Sequence, residues 1–358
     1  MNGREGNAGA RRAHSGGIEQ ALLDANRIAF GPLMFQAARS LLKRGVLAAL
    51  QARAGARCGV AELAADTGLS AYAVRLLVDA GASLGLVLRD GDDYRLSKTG
   101  FIWLTDETVQ VNADFVHDLC YQAFFHFDEA VTSGRPAGLS VFGDWDTIYP
   151  ALAELPEPAR GSWHRFDHRY SDAALPEAIA VLARISPQNV LDVGGNTGRF
   201  ARALATHLPS ARVSIVDLPG QIARARAALE DTDTGFIALD VLDTNAELPA
   251  GFDAVWVSQF LDCFSEEQVV VLLRRLRAAL AVGGSLFVME PCPDEQRFEA
   301  AAHSLNATSL YFACIANGYS RLYFGSDWER MFAAADLRIV ERTGGLGICQ
   351  TLFRCLPA

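Results

Sequence analysis

The chain has 358 residues, half of them hydrophobic, and a formal net charge of -10 at pH 7. This length predicts two domains with enough apolar side chains for full cores. Because affinity for nucleic acids and anionic membranes rests mainly on lysine and arginine, the acidic charge argues against both as partners.

Signals for export, membrane insertion and metal binding are missing from the sequence. There is no run of about 18 apolar residues and no signal peptide, so we expect a soluble cytoplasmic protein. The seven cysteines are scattered, without a C-x-x-C pair or a Cys/His group. We therefore expect reduced, mostly buried thiols and no metal site.

The first third of the chain predicts a helical domain behind a tail. Residues 1–17 are rich in Gly, Ala and Arg and predict disorder, and apolar residues then recur at helical spacing. Residues 60–96 read as helix, turn, helix and β-hairpin, the outline of a winged helix. Its second helix has one basic residue for contacts with DNA, Arg75, and the acidic Asp79 on the same helix would oppose such contacts. Dimer packing and substrate covering are therefore preferred, and a DNA-binding regulator is the alternative.

Aromatic residues dominate residues 109–170. Most of them are expected in the core, and a few are placed to wall an apolar substrate pocket. Trp163 and Tyr170 precede a predicted helix at 175–185 that leads into a strand. Helices in this position often lie over a bound cofactor, so Tyr170 is a candidate cofactor contact.

The segment 190–217 predicts a strand, a glycine turn, a helix and a second strand. In doubly wound sheets ligands bind outside the carboxyl ends of the strands, so the turn and Asp217 should meet at one crevice. The turn reads D-x-G-G-N-T-G and not the G-x-G-x-x-G of dinucleotide sites. Asp192 would repel a phosphate but suits the ammonium group of an amino acid, and Asp217 suits ribose hydroxyls. This favours S-adenosylmethionine over NAD, and a glycine turn without a ligand is the structural alternative.

Strands and helices continue to alternate after Asp217, which predicts a parallel sheet with helices on both faces. The predicted strands are 235–241, 252–259 and 285–290, and the predicted helices are 221–229 and 266–280. Residues 337–340 and 348–355 predict two antiparallel edge strands. We expect the front domain to span 18–174 and the catalytic domain 175–358.

Together these segments resemble the caffeic acid/acetylserotonin type of small-molecule O-methyltransferase. The resemblance rests on LDVGGNTG, IVDLPG, ALDV, FDAVWVSQFLDCFSEEQ and GGSLFVMEP behind a winged helix, and it covers nearly all of the chain after the tail. It implies an α/β fold, with a Rossmann-like class I methyltransferase domain behind a mainly helical winged-helix dimerisation domain. It also implies a homodimer and, in secondary metabolism, methyl transfer from S-adenosylmethionine to a small phenolic acceptor. FDHRYSD and SLYFACIANGYSR further resemble a bacterial subgroup associated with aryl-polyene or related aromatic pigment pathways.

The resemblance also assigns cofactor contacts. The glycine turn would hold the methionine part of the cofactor, and the acid of the DLP stretch would bind the ribose. An acid at the end of a later strand would contact the adenine. Asn196 stands where the family has a third glycine, and asparagine tolerates left-handed backbone. The positions carried over, with their neighbours, are Tyr170, Asp192, Gly194, Gly195, Asn196, Gly198, Asp217, Leu218, Asp240, Val241, Ser258, Gln259 and Phe264.

The catalytic stretch departs from the family. SQFLDCFSEE places Asp262 where the family has the histidine that removes the acceptor proton, and Glu290 matches the glutamate that orients that histidine. If Asp262 and Glu290 face each other in an apolar pocket, the pKa of one carboxyl should rise toward neutrality, and Asp262 would then be the base. A turn or capping role for Asp262 is the alternative, although Ser265 suits the cap of the next helix.

Other residues and reactions stay open. His303 is a reserve base, and Tyr311, Asn306 and Arg321 are plausible substrate contacts. Because the usual histidine is missing, the methyl acceptor is either oxygen or a ring carbon ortho to a phenolate. A cofactor-binding protein with non-methylating chemistry is a further alternative.

Overall fold

The structure, a computed structural model, describes residues 17–53 and 55–358, so the predicted tail lies outside the described residues except for Gly17. The described residues form two compact units that follow each other along the chain, with the boundary between Asp114 and Phe115. Compactness therefore groups residues 115–174 with the second unit. The domain boundary at residue 175 stays a prediction, because compactness alone does not define a functional domain.

The first unit contains the expected winged helix. Ser70 begins its second helix by accepting a hydrogen bond from the Ala73 amide, and Gly68 ends the preceding helix in the left-handed conformation. A short strand before these helices, which was not predicted, pairs with the hairpin in the order β1-β3-β2. The elements are α1 (Ile18–Ala29), α2 (Gly31–Lys43), α3 (Val46–Ala52), β1 (Cys58–Gly59), α4 (Val60–Thr67), α5 (Ala71–Ser83), β2 (Val87–Asp90), β3 (Asp93–Leu96), α6 (Lys98–Thr105) and α7 (Glu107–Phe115).

The second unit is built on a seven-stranded sheet in the order β6-β5-β4-β7-β8-β10-β9. The first five strands in this order are parallel, and β10 runs antiparallel to both β8 and β9, as expected for the edge. The strand order reverses next to β4, and ligands bind at such a reversal point in sheets of this kind. The strands are β4 (Asn189–Val193), β5 (Arg212–Asp217), β6 (Thr234–Ala238), β7 (Phe252–Ser258), β8 (Leu280–Pro291), β9 (Leu337–Leu346) and β10 (Gln350–Pro357).

Helices cover both faces of this sheet with separate apolar layers. One layer packs Leu272 against Trp328, and the other packs Ile179 and Phe200 against the sheet. The ring of Phe200 stacks on Trp256 of β7 at a centroid distance of 4.3 Å. The helices are α8 (Tyr121–Ala123), α9 (Phe127–Ser133), α10 (Ile148–Ala151), α11 (Ala159–Asp172), α12 (Leu175–Ala183), α13 (Arg199–His207), α14 (Pro219–Ala228), α15 (Glu266–Ala279), α16 (Glu299–Tyr311) and α17 (Gly325–Ala334).

Several predicted strand ends were wrong. The strand expected from 285 begins at Leu280, and the strand expected to end at 340 continues to Leu346. The third strand was expected at 235–241, but β6 ends at Ala238. Asp240 lies in the following loop, where its carboxylate accepts a hydrogen bond from the Leu242 amide at 2.9 Å. An aspartate that bonds its own backbone two residues on favours a turn over continued strand pairing.

No helix in the described ranges has both the length and the apolar composition needed to span a membrane. All seven cysteines are free thiols; six are buried and Cys263 is partly buried.

Candidate cofactor and acceptor site

A cavity of about 480 Å³ opens at the carboxyl ends of β4, β5 and β7. Every predicted cofactor residue except Gly198 lines it. The cavity has one half at the strand ends, lined by acids and glycines, and another half lined by aromatic rings. We call these the strand-end half and the aromatic half. The aromatic half is lined by Phe115, Tyr149, Trp163, Phe166, Tyr311, Phe312 and Tyr319.

Asp192 and Asp217 are the acids of the strand-end half. Asp192 lies one residue before the end of β4 and is only 2 % exposed, and its Oδ2 has no hydrogen-bond partner. Burial, reinforced by the charge of Asp217, raises the pKa of Asp192 to about 8. Asp217 accepts hydrogen bonds from the backbone amides of Asn196 (2.9 Å) and Leu218 (2.7 Å), and burial raises its pKa above the usual value. Asp217 is thereby fixed in position at the end of β5.

The glycine turn brings the backbone close to this half. A Cβ on Gly194 would lie 2.3 Å from the ring of Phe260, and Gly194 has a φ of +71°. Asn196 adopts a φ of 48°, as its place in the turn predicted. Gly198 is a correction to the predicted cofactor set. It does not line the cavity, and a Cβ there would lie 2.2 Å from Leu229, so packing accounts for this glycine.

Unpaired polar atoms cluster around the cavity. Among the described residues, eight have a buried side-chain nitrogen or oxygen without a hydrogen-bond partner. Five of them line this cavity: Asp192, Asn196, Gln221, Trp256 and Gln259. Because buried polar groups are normally hydrogen-bonded, this concentration fits a polar ligand with both donors and acceptors. An ammonium group at Asp192 and ribose hydroxyls at Asp217 fit these atoms, so the residues present suit S-adenosylmethionine.

Asp262 lies in a short 3₁₀ turn (Leu261–Cys263) between β7 and α15. It lines the cavity, is 5 % exposed, and its Oδ1 accepts a hydrogen bond from the Cys263 thiol at 3.5 Å. Burial raises the pKa of Asp262 to about 7, with a contribution from the charge of Asp167. Ser265 caps α15, as predicted, because its hydroxyl accepts a hydrogen bond from the backbone amide of Gln268. Asp262 is therefore not needed as the cap.

Glu290 lies outside the cavity lining, which corrects the expectation that it faces Asp262 across a pocket. It is fully buried, and its Oε1 accepts hydrogen bonds from the amides of Phe260 (3.0 Å) and Leu261 (2.9 Å). Burial, with the charge of Asp262, raises its pKa well above the usual value. Glu290 therefore fixes the backbone that presents Asp262.

Asn317 fixes the same turn from the other side, and the sequence analysis did not assign it a role. Its Nδ2 donates to the carbonyl oxygen of Cys263 at 2.8 Å, and its Oδ1 accepts from the amides of Tyr319 and Ser320. The side-chain amide of Asn317 can fix the turn in this way because it both donates and accepts hydrogen bonds.

The remaining candidates separate into those at the cavity and those away from it. Tyr311 lines the cavity and accepts a hydrogen bond from the indole of Trp163 at 2.8 Å. His303 and Asn306 are exposed on α16 and do not line the cavity, so His303 is not placed to remove a proton there. Arg321 lies outside the lining as well, paired with Asp327 at 2.7 Å.

Helix α11 contributes a carboxylate and an imidazole that the sequence analysis missed. Asp167 and His168 both line the cavity. Trp163, Phe166 and Tyr170 line it from the same helix, which is the i, i+3, i+7 spacing of one helix face. That spacing, with Asp167 four residues after Trp163, was the available signal. No group of three or more potential metal ligands occurs within the described residues, and the expected lack of a metal stays a prediction.

Comparison with known proteins gives two family matches. Residues 22–94 match the family model described as a Dimerisation2-like domain, and residues 173–338 match the one described as an O-methyltransferase domain. The chain is 29% identical over 271 residues to the O-demethylpuromycin-O-methyltransferase of Streptomyces alboniger, covering 73% of this chain and 70% of that protein. It is 24% identical over 283 residues to the L-tyrosine C(3)-methyltransferase of Streptomyces lavendulae, covering 76% of each.

Among solved structures, the S-adenosylmethionine-dependent methyltransferase SibL superposes with a TM-score of 0.73 at 24% identity. The match covers 94% of this chain and 99% of that chain. This likeness establishes the fold, which is the predicted Rossmann-like methyltransferase fold behind a helical front domain.

We expect Asp192→Asn to stabilise the ligand-free protein, more at pH 8 than at pH 5.5. The folded-state pKa lies above the unfolded one, so between about pH 4 and 8 the native state holds a proton that the unfolded chain has lost. Stability therefore falls as pH rises through this window, by up to about 1.4 kcal/mol per unit. Urea unfolding at both pH values measures the difference, with the exposed Asp233→Asn as control. A variant no more stable than wild type at pH 8 would contradict the raised pKa.

Proposed function

We propose that the chain is an S-adenosylmethionine-dependent methyltransferase that methylates a small phenolic metabolite of secondary metabolism, which the matches to the Dimerisation2-like and O-methyltransferase domain models support. The observation that carries this proposal is the cavity itself. Its strand-end half offers unpaired buried acceptors, and its aromatic half offers apolar walls. The cavity volume of about 480 Å³ is within the usual range for small-molecule sites.

The strand-end half would hold the cofactor. Asp192 would accept hydrogen bonds from the ammonium group, Asp217 from the ribose hydroxyls, and Asp240 with Val241 would lie at the adenine. Asp240 is exposed and lies two residues beyond the end of β6, and the Leu242 amide bonds only its Oδ1, which leaves Oδ2 available to a ligand. When bound, S-adenosylmethionine supplies an electrophilic methyl group on a sulfonium sulfur.

The aromatic half would hold the acceptor, and Asp262 would be its base. Asp262 would take the hydroxyl proton of the acceptor, so that the oxygen could bond to the methyl carbon that the cofactor would supply, with S-adenosylhomocysteine as the leaving group. An ordinary aspartate, with a pKa about 4, is a poor base for a phenol of pKa about 10. The pKa of Asp262, raised to about 7, removes half of that mismatch. Glu290 and Asn317 act through the backbone of the turn, as positioning residues.

Carbon methylation is the second candidate reaction. Its support is the resemblance to the Streptomyces lavendulae enzyme, whose name specifies transfer to a ring carbon, together with the aspartate at the histidine position. In this reaction the ring carbon ortho to a phenolate bonds to the methyl group. Asp262 would then collect the proton that the same ring carbon loses.

A homodimer is part of the proposal. Its support is the Dimerisation2-like match and the apolar surface of α1, none of whose residues is buried and which exposes Ile18, Leu22 and Ile28. We further propose that the protein is cytoplasmic, uses no metal and binds neither nucleic acid nor membrane, which the charge of -10 supports.

The function is tested by incubating the full chain with methyl-labelled S-adenosylmethionine and a panel of phenols. We expect S-adenosylhomocysteine and one methylated product, and NMR of that product distinguishes an O-methyl from a C-methyl group. Cofactor binding without methyl transfer to any phenol would favour non-methylating chemistry. A DNA mobility shift that persists at physiological salt would favour the regulator.

We expect Asp217→Ala to weaken binding of S-adenosylmethionine about 10- to 100-fold, because each lost hydrogen bond to a charged group is worth roughly 1.5 to 3 kcal/mol. Calorimetry on the full chain measures the affinity. Asp233→Ala, which removes an exposed carboxylate outside the cavity, is the control and should bind normally. An Asp217→Ala protein with wild-type affinity would mean that the ribose binds elsewhere.

We expect Asp262→Asn to lower kcat about 10²- to 10⁴-fold, the usual contribution of a general base, and to change cofactor affinity by less than about threefold. The amide keeps the size of the side chain but cannot take the proton. Single-turnover kinetics and calorimetry measure the two quantities. Equal turnover in the variant would remove Asp262 from the mechanism.

A further inference from the structure

Asp167 is a carboxylate of the cavity to which the proposed reaction gives no role. It lies on α11 and lines the aromatic half with Trp163 and Phe166 of the same helix. Its side chain is 26% exposed. Burial, followed by the charge of Asp172, raises its pKa to about 7.

Asp167 forms no ion pair with a lysine or arginine among the described residues. The charge of Arg199 lowers the pKa of Asp167 in part, but Arg199 makes its ion pair with Asp172. The ring nitrogen of His168 lies 3.8 Å away, but burial and then Arg199 lower the pKa of His168, so this ring is neutral at pH 7. A partly buried carboxylate without a cationic partner is unfavourable unless a ligand brings one.

A second, independent observation points to a ligand at the same place. Asp262, only 5 % exposed, lines the same cavity, and its carboxylate has no ion pair among the described residues; its side-chain donor is the thiol of Cys263. Asp167, Asp262 and Tyr311 all line this one cavity, and the charge of Asp167 contributes to the raised pKa of the other two side chains. The rings of Trp163, Phe166 and Phe115 wall that space, and Phe115 stacks on Phe166 at a centroid distance of 4.0 Å.

Negative charges outnumber positive charges in the cavity, even when the charges of the proposed cofactor are included. Six aspartates line it, against one arginine, which is paired with Asp172. The proposed cofactor would bring an ammonium group, which Asp192 accepts, and a sulfonium. Its ribose and adenine are neutral. Asp167 is therefore left without a positive partner in the aromatic half.

We propose that the acceptor is a phenolic amine, whose protonated nitrogen binds Asp167 between the rings of Trp163 and Phe166. This inference rests on the proposed function and specifies the substrate class of the same site. A carboxylate with aromatic walls suits an ammonium group because it provides a charged acceptor together with ring faces that attract cations. The aromatic body of the acceptor would lie among the remaining rings, and its hydroxyl would lie at Asp262.

The test compares phenols in matched pairs that differ by one amine: tyramine with 4-ethylphenol, and dopamine with 4-ethylcatechol. Formation of S-adenosylhomocysteine by the full chain at pH 7.5 gives kcat/KM for each. We expect the amine of at least one pair to be preferred at least tenfold, and Asp167→Asn to lower that preference at least tenfold. Asp167→Glu, which keeps the charge, should retain part of the preference. Asp233→Asn should leave both preference and activity unchanged.

Equal use of both members of each pair, or a preference that survives Asp167→Asn, would overturn the inference. If no phenol of the set is methylated, calorimetry with the S-adenosylhomocysteine-loaded protein replaces turnover, and failure to bind either amine more tightly than its partner overturns it equally. Wild-type cofactor affinity in Asp167→Asn confirms that the variant is folded. A protein that does not bind S-adenosylmethionine contradicts the proposed function itself. One that binds it and methylates both members of a pair equally contradicts only the amine.

Discussion

Two carboxylates held close together without a cation, at the ends of adjacent parallel strands, are the constraint on which this site depends. Asp192 lies in β4 opposite Ile215 of β5, only two residues before Asp217, so the parallel register brings both acids to one edge of the sheet. Burial disfavours the charged forms of both carboxyls, and the charge of Asp217 disfavours that of Asp192 further. A group that brings positive charge and hydrogen-bond donors relieves both penalties, which makes the strand ends selective for a cationic, phosphate-free ligand.

The turn that presents Asp262 differs, because its backbone is held by hydrogen bonds from within the protein. Glu290 accepts hydrogen bonds from two backbone amides of the turn, and Asn317 donates one to a backbone carbonyl of the turn. In the family that the sequence resembles, the equivalent glutamate orients a histidine. Here the glutamate at the same position holds the backbone of the turn, so the turn keeps its shape although an aspartate stands in place of the histidine. An exchange of the base is therefore compatible with an unchanged scaffold.

Most of the fold was accessible from the sequence because its signals are local. Strand–helix alternation, the cap at Ser265 and the left-handed Asn196 each depend on neighbours in the chain. The misses depend on tertiary packing. Gly198 is required by Leu229, thirty-one residues later, and Asp167 enters the cavity only because of the way α11 is rotated. His303 follows helical periodicity as well as Tyr311 does, yet one is exposed and the other is buried in the cavity wall.

An aspartate base differs from a histidine base in more than strength. The raised pKa of Asp262, about 7, is close to the usual histidine value of about 6.5, so the two are similar as proton acceptors. The charges differ. In the proposed mechanism a histidine would begin neutral and end as a cation, so the positive charge of the sulfonium would only move within the cavity. Asp262 begins as an anion and ends neutral, so the positive and the negative charge disappear in the same reaction. The apolar walls that disfavour buried charge thus disfavour the reactants more than the products, and the desolvation that raises the pKa of Asp262 also favours the transfer.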